Sequence, residues 1–186
     1  MLQIAQLTKT LFQYKALTFF ASLSLCVTPS LFLSPSAQAE IKFPVQEMIT
    51  KMKGRTSVPI LLPSNFPSGR GSVFFEEKVN PQGYLINFTA TPNCRATACR
   101  QGGMSAESSG MLTPPPPKSD SRSQYQTILL ANGIEGQYYQ GCRLYCTALV
   151  EWTYQGVLYR VTLKNGSLED LQAIANSAIE GGSRSF

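Results

Sequence analysis

Residues 147–164 read TALVEWTY, then QG, then VLYRVTLK, and this stretch decides the fold. Two runs rich in β-branched, aromatic and aliphatic residues flank Gln155-Gly156. Side chains that suit a core alternate with ones that suit water, the period of a half-buried strand. Glycine takes positive φ without steric strain, so a two-residue turn fits between the runs. Ala148, Val150, Trp152 and Tyr154 share one face, and Leu149, Glu151 and Thr153 share the other. The first set reads as the core face, opposed by Val157, Tyr159, Val161 and Leu163 or their alternates.

The same grammar extends outward. Residues 126–131 (QTILLA) and 134–140 (IEGQYYQ) flank Asn132-Gly133, the strongest short hairpin signal. Residues 72–79 (SVFFEEKV) and 84–90 (YLINFTA) flank Asn80-Pro81-Gln82-Gly83, with Asn, Pro and Gly at the first, second and fourth positions, where a type I turn favours them. Downstream, Ser167 suits a helix N-cap, and Glu169 and Asp170 suit the positive end of the helix dipole. Leu168, Leu171, Ala175 and Ala178 form its apolar stripe, and Gly181-Gly182 end it. Upstream, Val45, Met48, Ile49 and Met52 give residues 44–53 one face of helical period, with Pro44 at the start and Gly54 at the stop. Prolines 59, 63 and 67 exclude a helix over 58–67. An extended segment along a sheet edge is expected there, with Ile60, Leu61 and Leu62 partly buried. The sum is an α+β fold: an antiparallel sheet of about six strands in hairpins, with a short N-terminal and a C-terminal helix on one face.

Residues 91–124 differ in kind. Cys94, Cys99, Gly102-Gly103, a serine-rich run, Pro114 to Pro117 and Ser119 to Ser123 leave no apolar period. A long loop is expected, of a length found in functional or unstructured segments. Its prolines favour a stiff, solvated polyproline II linker.

The first 39 residues read as an export signal. Lys9 and Lys15 precede an apolar run at 16–27, and Ala37-Gln38-Ala39 places the cut before Glu40. The apolar run is shorter than the about 20 residues a membrane span needs. Residues 40–186 would then form one α+β domain, periplasmic or extracellular, with no transmembrane segment. Fourteen of the sixteen basic residues and all eleven acids lie there, a net charge of +3 that does not argue for nucleic acid.

Cys26 leaves with the signal, and Cys94, Cys99, Cys142 and Cys146 become disulfide candidates. Their spacing is wider than that of a zinc ribbon, and no metal or other cofactor is expected. Four cysteines allow three pairings. The local one, Cys94–Cys99 with Cys142–Cys146, needs only tight loops and is marginally preferred; a crossed pairing that pins the long loop to the strand at 147 stays open.

The chain has no histidine, which removes Ser-His-Asp and Cys-His catalysis. Paired carboxylates could hydrolyse glycosides, and Glu135 and Glu151 on adjacent expected strands are the best pair; solvated strand charges are the simpler reading. No catalytic set emerges. The expected function is a non-enzymatic exported domain that binds or senses a protein or glycan partner in the envelope. Its candidate surface is loop 91–124 with Tyr138, Tyr139 and Tyr145, unless those tyrosines only pack the sheet. The alternatives are a carboxylate-dependent hydrolase of cell-wall or sugar substrates and a structural subunit of an envelope assembly.

Glu151-Trp152, Gly156, Tyr159, the helix end Ile174-Ala175-Asn176-Ser177-Ala178-Ile179 and the upstream Leu62-Pro63-x-x-x-Pro67 carry a resemblance. Together they resemble uncharacterised exported bacterial domains, cyanobacterial ones especially, some of whose relatives are joined to anti-sigma factors. The resemblance implies fold and export and carries over no catalytic residue.

Overall fold

The computed structural model of the chain describes residues 41–67, 71–116 and 123–184. The expected signal at 1–39, its cleavage point and residues 117–122 of the proline and serine run lie outside the described residues.

In chain order the elements are β1 (Ile41–Lys42), α1 (Val45–Met52), β2 (Asn65–Phe66), β3 (Phe74–Asn80), β4 (Gly83–Thr89) and β5 (Arg100–Glu107). There follow β6 (Ser123–Leu129), β7 (Glu135–Cys142), β8 (Cys146–Tyr154), β9 (Val157–Lys164) and α2 (Leu168–Glu180). Seven strands pair antiparallel in the order β3-β4-β5-β9-β8-β7-β6, and β1 pairs with β2 alone. The fold is α+β, with one strand more in its main sheet than the about six the sequence suggests.

The extra strand is β5, inside the stretch expected to be loop. RQGGMSAE lacks the β-branched run that announces a strand, yet Met104 and Ala106 alternate into the core. Small residues are what this position requires. A Cβ at Gly102 would lie 2.1 Å from the Thr162 carbonyl oxygen. β5 therefore sits against β9 only because residue 102 has no side chain, the close backbone approach that marks glycine in strands.

The sheet is two meanders, β3-β4-β5 and β6-β7-β8-β9, joined along the β5–β9 ladder. Side chains directly opposite across the strands share a face. One core-facing row runs Glu77, Ile86, Met104, Val161, Val150, Tyr138. The next runs Val79, Tyr84, Ala106, Tyr159, Trp152, Gly136. Trp152 and Tyr159 stack with ring centroids 5.5 Å apart. Gln155 and Gly156 both take positive φ, as the expected tight turn requires.

The Asn132-Gly133 connection is longer than the two-residue turn expected. Leu130 turns into the core, and the Ala131 amide donates to Asn176 Oδ1 on α2 (2.7 Å), so the hairpin opens to dock on the helix. Docking overrode the local turn preference.

α2 begins with a capping box: the Asp170 amide donates to Ser167 Oγ, and the Ser167 amide to the Asp170 carboxylate. It buries Leu171, Ile174, Ala175 and Ala178 against β8 and β9. α1 buries Met48, Ile49 and Met52 on the same side, near β3. Phe43, Phe66, Phe75 and Phe88 meet edge to face between them, a geometry aromatic pairs prefer.

Residues 58–64 correct the sequence reading: they lie over the core face, not along an edge, and Ile60, Leu61 and Leu62 are fully buried. Prolines remove amides, so no regular ladder can satisfy this segment. Side chains do it instead. The Leu61 amide donates to the Tyr84 hydroxyl (3.2 Å), which donates back to the Leu61 carbonyl (2.7 Å). The Tyr159 hydroxyl donates to the Pro59 carbonyl, and Arg184 donates to the carbonyls of Ile60 and Leu62.

Tyr84→Phe leaves both Leu61 groups buried and unpaired, so urea unfolding is expected to show a loss of about 3 kcal/mol. Tyr154→Phe, whose hydroxyl only accepts a long bond from exposed Gln155, is expected to change stability by less than ~0.5 kcal/mol. Burial raises the Tyr84 phenol well above its ordinary value, and raises Tyr159 likewise. The folded state then keeps protons that the unfolded chain releases above pH ~10. The stabilisation is full below that pH and is lost as pH rises toward the folded values. Urea midpoints taken across the alkaline range should fall in wild type, and fall less steeply in Tyr84→Phe.

Candidate functional site

The opposite, outer face of the sheet carries the chemistry. One of its rows runs Leu85, Ser105, Arg160, Glu151, Gln137, Thr127. The next runs Asn87, Gly103, Thr162, Leu149, Tyr139, Tyr125. The last runs Lys164, Thr147, Gly141, Ser123.

β5 lies mid-sheet and β6 at the edge, so the connection between them must cross a face. Residues 110–113 lie on the outer one. A Cβ at Gly110 would meet the Leu158 side chain, the Arg160 guanidinium donates to the Met111 carbonyl (3.0 Å), and Thr113 reaches Glu151. Of the four prolines expected in a solvated linker, Pro114 and Pro115 are exposed and Pro116 is half-buried.

Glu151 is 1% exposed and holds this crossing down. Its carboxylate accepts from the Thr113 amide (2.6 Å), the Thr113 hydroxyl (2.9 Å) and Arg160 Nε (2.5 Å). Glu135 shares the face but is exposed at the start of β7. The two carboxylates differ sharply in environment, and that of Glu151 is fully engaged.

The cysteines pair locally: Cys94 with Cys99 between β4 and β5, and Cys142 with Cys146 between β7 and β8. Both loops stand at one end of the sheet, away from the Glu151 clamp. The first is further ordered by a turn at Thr97–Cys99 and by the Cys94 amide on the Glu76 carboxylate (3.3 Å). The second presents Arg143, Leu144 and Tyr145, with Leu144 99% exposed at the tip.

Two adjoining clefts lie at this end of the outer face, one against the second loop alone and one between it and the first. One, of about 530 Å3, is lined by Ser123, Tyr139, Gly141, Arg143, Tyr145 and Thr147, among others. The other, of about 320 Å3, is lined by Asn87, Arg100, Gly103, Tyr145, Thr162 and Lys164, among others. Tyr145 and Thr147 belong to both. The Lys164 ammonium sits 4.3 Å from the Tyr145 ring centroid, a cation–π contact. The Tyr139 ring lies along the floor, because a Cβ at Gly141 would come within 2.6 Å of its hydroxyl. That hydroxyl meets the Ser123 hydroxyl at 3.1 Å.

The three candidate tyrosines therefore separate. Tyr139 and Tyr145 line the same cleft. Tyr138 points the other way and is 3% exposed in the core, because consecutive strand residues face opposite sides. Burial, with the Glu169 charge adding, raises its phenol above the ordinary value.

Sequence reasoning missed Arg100, Arg143 and Lys164. Lys164 was findable, since it alternates with the core residues of β9; Arg100 was hidden with β5 itself. Neither Arg100 nor Arg143 has a carboxylate partner among the described residues. No cluster of His, Cys, Asp or Glu among them could hold a metal ion, and no helix among them is long and apolar enough to cross a membrane.

No family model matches the chain, and neither do any curated proteins or solved structures.

Glu151→Gln weakens the pairing with Arg160 and with the Thr113 amide. A stability loss of about 2 kcal/mol is expected, with faster proteolysis confined to 108–122. Unchanged cleavage there would show that Glu151 does not hold the crossing. The disulfides close loops of sequence separation 5 and 4, each stabilising by about 2 kcal/mol. Replacing all four cysteines by serine is expected to lower the unfolding free energy by about 4 kcal/mol while leaving the far-UV spectrum intact. Free thiols titrated before reduction would contradict both bonds.

Proposed function

We propose that this chain is an exported, non-enzymatic domain that binds a partner in the cell envelope through the groove beside its two disulfide loops. The observation that carries this reading is the pair of adjoining clefts that share Tyr145 and Thr147. Loops held by a rigid scaffold are where binding residues concentrate, and two short disulfides fix these against the sheet. The four paired cysteines fit an oxidising compartment, and with the leader-like residues 1–39 they support export. The engagement of both Glu151 oxygens by Thr113 and Arg160 favours binding over carboxylate hydrolysis.

Site-specific photo-crosslinking in a secreting bacterium tests this. With p-benzoylphenylalanine in place of Leu144, an adduct with an envelope component is expected on a mature chain beginning at Glu40. The same group at Met111, exposed on the crossing and away from the groove, is expected to give none. Equal adducts from both positions, or none from either, would reject the groove. Sugar released by wild type but not by Glu135→Gln would move the reading to a hydrolase.

A further inference from the structure

Resting on that groove reading, we propose that the ligand is an anionic saccharide chain carrying carboxylates, of the polyuronate kind. Four observations meet at one place. The first is charge: Arg100, Arg143 and Lys164 line the clefts, and among the described residues no carboxylate lines either one. The nearest acid on the adjoining strands, Glu76, lies a row position beyond Asn87 and accepts the Cys94 amide. Guanidinium groups with no carboxylate partner among the described residues favour an external carboxylate, which they can bind with two parallel hydrogen bonds.

The second is the character of the floor. Asn87, Thr147, Thr162 and Ser123 present amide and hydroxyl groups along two outer-face rows. Neutral donors and acceptors of this kind match sugar hydroxyls. The third is aromatic: Tyr139 and Tyr145 offer ring surface at low conformational cost beside those groups. The fourth is shape. Each cleft lies at the lower or middle part of the about 300–1,000 Å3 range of small-molecule sites. Two in tandem with a shared wall suit a chain of rings better than one compact molecule.

The small number of charges separates this class from nucleic acid. Single cations, interleaved with glycine and hydroxyl residues, suit a chain with one carboxylate per ring. A phosphodiester backbone favours denser lysine and arginine contacts along its track.

The test uses the oxidised mature protein, labelled with 15N, in three titrations. Hexagalacturonate is the anionic probe, cellohexaose the neutral one, and hexathymidylate the nucleic-acid one. Hexagalacturonate is expected to shift the amides of Gly103, Thr147 and Thr162. It should bind at least about tenfold tighter than cellohexaose, and weaken as salt rises from about 50 to about 500 mM. Arg100→Gln with Lys164→Gln is expected to cost at least about tenfold in affinity. Arg143→Glu, on the exposed loop tip and so without risk to the core, serves as the second variant and should weaken binding in the same direction. Cellohexaose binding as tightly at the same amides would overturn the charge assignment and leave the groove reading standing. Hexathymidylate binding more tightly there would replace the saccharide by nucleic acid. Absence of shifts with hexagalacturonate, while the Leu144 crosslink persists, would reject the anionic class alone; loss of that crosslink rejects the groove itself.

Discussion

The antiparallel ladder between β5 and β9 is the constraint on which the other features rest. It joins two meanders that are each local in sequence, and it forms only because Gly102 lets β5 approach the β9 backbone. Once β5 is locked mid-sheet, the chain must cross the outer face to start β6 at the edge. That crossing covers the row containing Arg160 and Glu151, and a carboxylate buried there requires full compensation. Thr113 and Arg160 supply it. The groove lies on the same face, at its disulfide-bearing end. A backbone clash avoided at one glycine thus decides that Thr113 and Arg160 meet over Glu151.

The core face solves a different problem. Its central rows are apolar, and both helices pack on it, but the gap between α1 and α2 is filled by a proline-interrupted segment that cannot join a ladder. Buried backbone groups must be paired, so the sheet supplies hydroxyls where strands would have supplied amides and carbonyls. Tyr84 and Tyr159 do this from within the apolar rows. Their rings fill volume and their tips close hydrogen bonds, and this double duty explains why the residues are tyrosine and not phenylalanine.

Much of this was legible from residue pattern. β8, β9, their Gln155-Gly156 turn, the β3–β4 hairpin and both helices follow from alternation, caps and turn residues, because local preference and tertiary packing agree there. β5 was not legible, since close packing selected small residues and erased the β-branched signature. The Asn132-Gly133 loop misled because docking of Ala131 on Asn176 outweighed the turn preference. Residues 58–64 were placed at an edge because proline argues for one, whereas tyrosine hydroxyls made an interior position tolerable. For the site, alternation separates Tyr138 from Tyr139 once the core face is known. The convergence of Arg100 with Tyr145 and Lys164 depends on the β5–β9 seam and on no local pattern.

The seam also has a kinetic meaning. Each meander closes between strands adjacent in sequence, and the longest of these connections, between β4 and β5, is tied by Cys94–Cys99, whereas β5 meets β9 across the whole β6–β8 stretch. Contacts between distant positions raise the barrier to folding more than local ones do. The sheet therefore has two fast halves and one slow closure. Until that closure, the two strand edges that will become its middle are both open to other chains.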